Sequence, residues 1–382
     1  MDARAPTDAD DRHSAVATMV RDFAEREIRP RAAALDESES YPEDLYREMA
    51  RLGLFGITTP EVMGGLGADV VTYAIVMEEL SRGYASVADQ CGLVELVSTL
   101  LAEHGTAAQQ ARYLQPLLRF ERRCAYAITE PEAGSDVSGV RTTAVRAGAG
   151  WRLTGEKIWI HNAPVADFAV VLARTDPAAG KRGMSIFLVN ADAPGFSRGR
   201  KEHKMGQRAS QVGALAFNDV ALGPDALLGQ EGRGFHMMMS VLDKGRVGIA
   251  ALAVGILQDA LDESVAYAKT RRQFGREIAD FQAVQWMLAD MAKAAHAARL
   301  MTRHAAERLD AGARASADCS MAKLFASDAA VEHTANAVQV HGGIGYIRGT
   351  TVERLYRDAK ITQIYEGTNQ IQRMIIARHL LA

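Results

Sequence analysis

Cysteine is scarce in this chain: its 382 residues include three, Cys91, Cys124 and Cys319. They are far apart, odd in number, and without a C-x-x-C pair or a histidine at zinc-ligand spacing. This pattern argues against a disulfide framework and gives no reason to expect a metal site. We interpret the cysteines as reduced thiols of an intracellular protein.

Excess positive charge and long apolar runs are also missing. Lys and Arg total 44 against 47 Asp and Glu, a formal charge of -3, so nucleic acid is not an expected partner. No apolar run approaches the roughly 18 residues of a membrane span. The first residues, Met1 to Asp11, are polar and acidic, unlike a secretory or transit segment. We expect a cytoplasmic protein that does not span a membrane.

The spacing of apolar residues divides the chain into three parts. Residues 14–120 and the region after 235 repeat apolar positions at helical intervals, which predicts helices. Alanine-rich stretches in the last part favour a bundle of closely packed helices. Between 124 and 225, short apolar runs separated by Gly, Pro, Asp and Asn predict the strands of a small barrel or sandwich. The predicted order is α, then β, then α.

Three polar segments are candidates for chemistry, and each also has a purely structural explanation. Tyr126–Asp136 leaves a strand for a Gly/Ser loop that either binds an anion or polar ring edge or is an ordinary turn. Trp151–Asn162 predicts a hairpin with a turn near Gly155, in which Trp159 is either core or a platform for a flat ring. Glu366, which precedes a glycine, is either a catalytic base or an exposed loop carboxylate.

A glycine-rich segment begins at Gly342 and reads Gly-Gly-x-Gly. It follows a helical pattern, whereas the Rossmann dinucleotide fingerprint follows a strand. A Rossmann fold is therefore not supported.

Five motifs in order make the chain resemble the acyl-CoA dehydrogenase family. They are YAITEPEAGSD (126–136), GEKIWIHNA (155–163), RRQFG (271–275), HGGIGY (341–346) and YEGTNQIQR (365–373). The resemblance covers nearly the whole chain, from the PEVMGGLG loop at 60–67 to the final helix. It implies an α+β fold with an N-terminal helical domain (1–123), a middle β-barrel domain (124–231) and a C-terminal four-helix bundle (232–382).

The resemblance also implies an oxidoreductase with a FAD cofactor. In that family an acyl-CoA thioester becomes a trans-2-enoyl-CoA, as a glutamate removes the α-proton and hydride passes from the β-carbon to flavin N5. Glu366 matches this base. In isovaleryl and long-chain members the carboxylate instead stands just before the arginine that matches Arg246, where this chain has Gly245. The surrounding segment, 242–250, is similar to short-chain and branched-chain members.

The resemblance assigns further residues to the cofactor and the substrate. The implied FAD contacts are Tyr126, Ile128, Thr129, Gly134, Ser135, Trp159, His161, Arg271, Gln273, Gln282, Gln339, Val340, Gly342, Gly343, Thr368 and Gln370. The implied substrate contacts are Ser135, Asp243, Arg246 and Gly367. Because the family's FAD site uses two chains, a homo-oligomer is implied, usually a tetramer, with an electron-transfer flavoprotein as electron acceptor.

Two departures from the family's pattern concern the active site. His161 stands where the family usually has a Thr or Ser that hydrogen-bonds flavin N5, and its imidazole either donates a bond there or turns away. The stretch that lines the family's acyl pocket contains Asp89, Gln90 and Glu95 here, for which a solvated helix face is the preferred interpretation and a polar pocket the alternative. Ala85 replaces the arginine of glutaryl-CoA dehydrogenases, which disfavours glutaryl-CoA.

Two other functions stay open at this point. One is a lyase or desulfinase on the same flavin scaffold, which acts on an acyl-CoA without net oxidation. The other is an acyl-CoA-binding protein without turnover. Flavin bleaching by an acyl-CoA distinguishes the dehydrogenase from both.

Overall fold

The computed structural model describes residues 8–382, with side chains from Asp11 onward. The polar segment Met1 to Asp11, from which we expect no targeting signal, lies largely outside the described residues. Within them the α-helices are α1 (Asp8–Phe23), α2 (Ala32–Ser38), α3 (Glu43–Arg51), α4 (Val70–Gly83), α5 (Ala85–His104), α6 (Ala107–Gln109), α7 (Gln115–Leu118), α8 (Gly234–Ser240), α9 (Leu242–Thr270), α10 (Gln282–Asp310), α11 (Ser316–His341), α12 (Thr351–Lys360) and α13 (Asn369–Leu380). The strands are β1 (Cys124–Ala127), β2 (Thr143–Ala147), β3 (Gly150–His161), β4 (Phe168–Arg174), β5 (Met184–Asn190), β6 (Phe196–Lys201), β7 (Val212–Leu222), β8 (Leu227–Leu228), β9 (Arg272–Gln273) and β10 (Arg276–Glu277). The predicted order of helices, strands and helices is confirmed.

The helices of the first and last parts share one hydrophobic core. Helices α4 and α5 are buried along most of their length and pack on α9. Helices α9, α10 and α11 pack against one another, and α12 and α13 lie on α11. Helix α5 is long and apolar enough to cross a membrane, but 83% of its apolar window is buried inside the molecule. Its composition is therefore that of a core helix.

Strands β1 to β8 form one mixed sheet with a separate core. The order is β6-β7-β3-β2-β4-β5-β8, and β1 pairs in parallel with β4. The predicted small barrel or sandwich is found as a sheet that does not close, because β6 and β8 stand unjoined at the ends of this path in residues 8–382. The reason lies in the polarity and the length of these two end strands. Strand β6 is polar and largely exposed, and β8 has two residues.

Gly155 lies inside β3 rather than at a hairpin turn. The strand runs unbroken from Gly150 to His161, and its register against β7 shifts between Leu153 and Gly155. A β-carbon at Gly155 would collide with Thr142, so the glycine permits a bulge and a close approach. The predicted hairpin turn at Gly155 is therefore wrong. The chain reverses earlier, between β2 and β3.

Candidate active site

Glu366 lies in the loop that leads into α13 and has a left-handed backbone, with φ of 53°. Two buried side chains hold this loop from behind. Gln372 Nε2 donates to the carbonyls of Glu366 (3.2 Å) and Gly367 (2.8 Å), and Lys323 Nζ donates to the carbonyl of Gly367 (3.0 Å). A left-handed backbone is costly for a non-glycine residue, and such strain persists where surrounding contacts enforce it. The loop is thus held in the conformation that directs the Glu366 carboxylate inward.

The Glu366 carboxylate lies directly against the backbone of Gly245 on α9. A β-carbon built at Gly245 would collide with Glu366 Oε2. Glycine in a helix interior costs about 1 kcal/mol relative to alanine, and here it makes room for the carboxylate. The alternative base position of the family, residue 245, therefore cannot carry a side chain while Glu366 occupies this place.

Burial controls the charge of Glu366. Its Oε2 is fully shielded and has no hydrogen-bond partner among the described residues. Burial raises the pKa of Glu366 to about 7, an effect that Arg246 and Lys323 oppose and Asp89 reinforces. Burial likewise lowers the pKa of Lys323 to about 8. Glu366 is therefore poised to exchange a proton near neutral pH.

Arg246 is buried one residue after Gly245 on α9. Its Nη1 donates to Asp243 Oδ1 at 2.5 Å, and Ser316 Oγ donates to the other oxygen of Asp243. Arg246 Nε is shielded and has no hydrogen-bond partner within residues 8–382. A buried guanidinium N–H without a partner is costly. A ligand oxygen bound to this atom would remove that cost.

A buried ion pair ties the loop of Tyr126–Asp136 to β3. Lys157 Nζ donates to Glu130 Oε1 and to the carbonyl of Ile128, both at 2.8 Å. Glu130 also accepts from the backbone amides of Arg141 (2.6 Å) and Thr142 (2.9 Å). Glu130 and Lys157 are both buried, and their contacts hold the loop against β3.

The predicted cofactor residues of this loop differ in their exposure and in their hydrogen bonds. Tyr126 is half-buried, and its hydroxyl donates to the Met238 carbonyl at 3.2 Å. The Thr129 carbonyl accepts from the Ile158 amide at 3.0 Å, so this backbone group is already paired. Gly134 and Ser135 are exposed, and a β-carbon at Gly134 would have no atom within 4 Å in the described structure. The loop tip is the part open to a ligand.

The end of β3 presents one aromatic face and one imidazole. Trp159 has a left-handed backbone, with φ of 55°, and is 66% exposed. His161 is mostly buried, and its Nδ1 lies 3.1 Å from Asp89 Oδ2 on α5. The residue between them, Ile160, points into the core of the sheet. His161, the next residue along the strand, therefore lies on the side of β3 away from that core, whereas Trp159 falls within a register shift of β3 and is exposed.

The polar residues of α5 are inside the molecule, so the interpretation as a solvated helix face is wrong. Glu95 is fully buried and accepts hydrogen bonds from the amides of Ile57 (2.8 Å) and Thr58 (3.2 Å). Gln90 is fully buried as well, and neither polar atom of its side chain has a partner in the described part of the chain. Asp89 accepts a hydrogen bond from Ser210 and lies within ion-pair distance of His161. These partners come from distant segments, which α5 alone does not reveal.

Most of the remaining predicted FAD residues lie at or beside the ends of α9, α10 and α11, whereas Thr368 and Gln370 lie at the start of α13, next to the Glu366 loop. Tyr267 stacks on His341 with ring centroids 4.3 Å apart, which brings the end of α9 beside the end of α11. Val340 is buried and Thr368 caps α13 by accepting from the Ile371 amide at 3.3 Å. The residues exposed in this set are Arg271, Gln273, Gln282, Gln339, Gly342, Gly343 and Gln370. Apart from Gln370, the exposed residues of this set thus lie at the helix ends and not beside Glu366.

Comparison with known proteins agrees with this architecture. Three family models match in order: Acyl-CoA dehydrogenase, N-terminal domain (residues 10–121), middle domain (125–220) and C-terminal domain (232–381). An acyl-CoA dehydrogenase of Bacillus subtilis is 45% identical over 95% of this chain and 96% of its own length. The chain belongs to the acyl-CoA dehydrogenase family. As a member it is an oxidoreductase that uses FAD.

Two further relatives of this acyl-CoA dehydrogenase have more specific descriptions. The caffeyl-CoA reductase-Etf complex subunit CarC of Acetobacterium woodii is 43% identical over 95% of this chain and 96% of its own length. The solved structure of butyryl-CoA dehydrogenase from Megasphaera elsdenii superposes with a TM-score of 0.95 at 39% identity, and all of both chains is covered. The family fold is therefore present over the full length of this chain.

The residues at the end of β3 fit a FAD ring. The exposed indole of Trp159 offers a flat apolar face. His161 Nε2 is shielded and lacks a hydrogen-bond partner among the described residues, which suits a polar ring edge. Open space at Gly342 and Gly343, where a β-carbon would meet no atom within 4 Å of the described structure, suits the close approach of a second group.

Sequence reasoning missed the residues that support this acyl-CoA dehydrogenase site from outside. Lys323 and Gln372 hold the Glu366 loop, and Asp89 lies beside His161. A signal existed for Lys323, which stands among the alanines of α11, where a lone cation on an apolar helix needs a buried partner. Asp89 gave no such signal, because its partner His161 is 72 positions away by their residue numbers.

Proposed function

We propose that this enzyme dehydrogenates a short acyl-CoA at the α,β-position to a trans-2-enoyl-CoA, with Glu366 as the base that takes the α-proton. The observation that carries this proposal is Glu366 Oε2, which is shielded, has no hydrogen-bond partner in residues 8–382, and lies against Gly245. Bound FAD supplies the acceptor for the hydride that leaves the β-carbon. The name of the butyryl-CoA relative supports a short acyl chain.

The protein's part in this chemistry is to hold a carboxylate where it can take a proton. A carbon acid is weak, so a base with a raised pKa is better matched to it than an ordinary carboxylate. The pKa of Glu366, raised by burial to about 7, meets this need while leaving the group largely ionised above that pH. Arg246, whose shielded Nε has no hydrogen-bond partner among the described residues, and Asp243, which pairs with it, are proposed to bind the CoA ester beside the base.

We assign the cofactor contacts in three groups. Trp159 and His161, with the loop of Tyr126, Ile128, Thr129, Gly134 and Ser135, are proposed to bind the flavin end. Gly367 is proposed to contact the substrate, and Thr368 and Gln370 the cofactor. The exposed helix-end residues Arg271, Gln273, Gln282, Gln339, Gly342 and Gly343, together with Val340, are proposed to bind the other end of FAD.

The exposed helix-end set supports an oligomer. These polar residues are accompanied by large exposed apolar side chains, of which Phe274 (93%) and Tyr346 (82%) are the most accessible. Exposed apolar patches mark interaction surfaces, so a second copy of the chain is proposed to cover them and complete the FAD site. A tetramer and a cytoplasmic location stay predictions. The Etf-complex relative supports an electron-transfer flavoprotein as electron acceptor.

Anaerobic mixing with a panel of acyl-CoA thioesters tests the reaction. We expect short acyl-CoAs to bleach the flavin absorbance and to yield the enoyl-CoA. Product that forms with no electron acceptor and no net bleaching would instead show a lyase, and binding without either change would show a protein without turnover.

Glu366→Gln tests the base. The amide keeps the shape of the side chain but cannot take a proton, so flavin reduction should slow by about 100-fold or more while FAD stays bound. Glu332→Gln, an exposed glutamate on α11, is the matched control and should reduce its flavin at the parent rate. A Glu366→Gln enzyme that reduces at the parent rate would remove Glu366 from the mechanism.

A further inference from the structure

Lys323 is a fully buried lysine on α11 whose ammonium group bonds neutral acceptors. Its Nζ donates to the carbonyl of Gly367 at 3.0 Å and to Asn369 Oδ1 at 2.9 Å. It forms no hydrogen bond or close ion pair with a carboxylate in the described part of the chain. A buried charge without a counter-charge is costly, so a carboxylate in the surroundings has to compensate it.

Glu366 is the carboxylate best placed to compensate Lys323. It directly precedes Gly367, and its Oε2 is shielded and has no hydrogen-bond partner among the described residues. Asp328, further along α11, already accepts from Arg373 Nη2 at 3.0 Å. Burial lowers the pKa of Lys323 to about 8, and the opposing attraction of Glu366 is larger than that of Asp328.

Other charged and titratable groups also surround Glu366. Arg246 on α9 favours its ionised form, and Asp89 on α5 disfavours it. Arg246 has a carboxylate of its own, because its Nη1 donates to Asp243 at 2.5 Å. Lys323 differs in having no such partner within residues 8–382. Two nearby tyrosines are neutral near pH 7 because burial raises the pKa of each: Tyr73 on α4 and Tyr126 on β1.

We propose that Lys323 is a positioning residue whose positive charge keeps the buried Glu366 carboxylate ionised near neutral pH, and so sets the pH range in which the base works. The inference rests on the proposed role of Glu366 as the base. It goes beyond holding the loop, because a neutral group already does that. Gln372 Nε2 donates to the same Gly367 carbonyl at 2.8 Å.

This shared carbonyl provides a matched pair of variants. Lys323→Gln removes the charge and leaves an amide that can still donate, whereas Gln372→Met removes a neutral donor to the same carbonyl. Infrared titration of the oxidised holoenzyme measures the pKa of Glu366, whose protonated carboxyl band is identified by its loss in Glu366→Gln. We expect Lys323→Gln to raise this pKa by about one pH unit, and Gln372→Met to change it much less. Equal shifts in the two variants, or no shift in Lys323→Gln, would overturn the inference.

The pH profile of flavin reduction provides a kinetic test of the same inference. A raised pKa leaves less of the base ionised at pH 7, so the profile of Lys323→Gln should move to higher pH by the amount of the infrared shift. The limiting rate at high pH should stay near that of the parent. A lower limiting rate with the profile in its original place would show that Lys323 only holds the loop, and would overturn the inference.

A reciprocal measurement needs no folded Lys323 variant. Coupling between two sites is symmetric, so Glu366→Gln should lower the pKa of Lys323 further. Burial also lowers the pKa of Lys157 and of Lys204 to about 8, so ¹⁵N-lysine NMR of the holoenzyme should contain a small group of signals that titrate early. We expect one of them to move to lower pH in Glu366→Gln, and unchanged titration of all of them would overturn the inference.

The infrared and NMR titrations use the oxidised enzyme without substrate. A failure of the proposed dehydrogenation would therefore leave them interpretable. A failure of the inference about Lys323 would likewise leave the flavin-bleaching test of the reaction unaffected.

Discussion

At the scale of single residues, a carboxylate with a glycine neighbour explains how Glu366 can act as a base. The shielded Oε2 and the missing side chain at Gly245 belong to one arrangement, since a β-carbon at residue 245 would occupy the place of Oε2. The raised pKa follows from burial, because removing a carboxylate from water disfavours its charged form.

The pH dependence of flavin reduction follows from this pKa. The folded pKa of Glu366 is raised from 4.5 to about 7, and the base acts when ionised. The reduction rate should therefore fall about tenfold per pH unit below 7 and level off above it. Anaerobic stopped-flow measurements across this range check the profile. A rate that stays constant down to pH 5 would contradict the raised pKa.

At the scale of elements, the buried pair of Lys157 and Glu130 joins strand β3 to the Tyr126–Asp136 loop. Lys157 is fully enclosed, so its charge depends on the carboxylate opposite. Burial lowers the pKa of Lys157 to about 8, and Glu130 opposes this shift. The pair therefore holds the loop in a fixed position relative to β3.

Removing one partner of this pair should cost stability. Glu130→Gln leaves a buried ammonium without its counter-ion, which costs about 3–5 kcal/mol in the free energy of unfolding. Urea denaturation at fixed protein concentration measures the loss. Asp290→Asn, which breaks the exposed pair with Lys293, is the control and should have a much smaller effect. Equal losses in the two variants would mean that the buried pair has no special role.

At the scale of the whole molecule, the reacting oxygen of the proposed base is shielded within the chain, while the helix-end residues are exposed. Phe274 stands in the turn between β9 and β10 with a left-handed backbone, φ of 52°, which aspartate also tolerates. If a second copy covers this face, a charge there is desolvated on assembly. The predicted domain boundaries at 123 and 231 belong to the same scale and stay a prediction.

Phe274→Asp should therefore weaken both assembly and FAD binding, with the dissociation constant for FAD raised about tenfold or more. Light scattering after size-exclusion chromatography gives the mass, and flavin titration gives the affinity. Val62→Asp is the control, because Val62 is equally exposed but lies in the 60–67 loop. A monomeric parent enzyme would contradict the proposed oligomer.

What the sequence predicts and what the tertiary structure decides differ in how far apart in the chain the interacting residues lie. The order of helices and strands, the five motifs and the choice of Glu366 follow from local spacing and residue type, because helical periodicity, turn chemistry and short motifs are encoded within a few residues of each other. From these, the family and the cofactor could be expected before any contact was known.

Tertiary structure alone decided the open sheet, the bulge at Gly155 and the burial of Gln90 and Glu95. It also decided that Lys323 holds the Glu366 loop and that His161 faces Asp89. Each of these depends on groups brought together from distant parts of the chain, and the energy of a buried polar group depends on its partner rather than on its own neighbours in sequence. The sequence therefore determined which residue is the proposed base, and the fold determined what holds and tunes it.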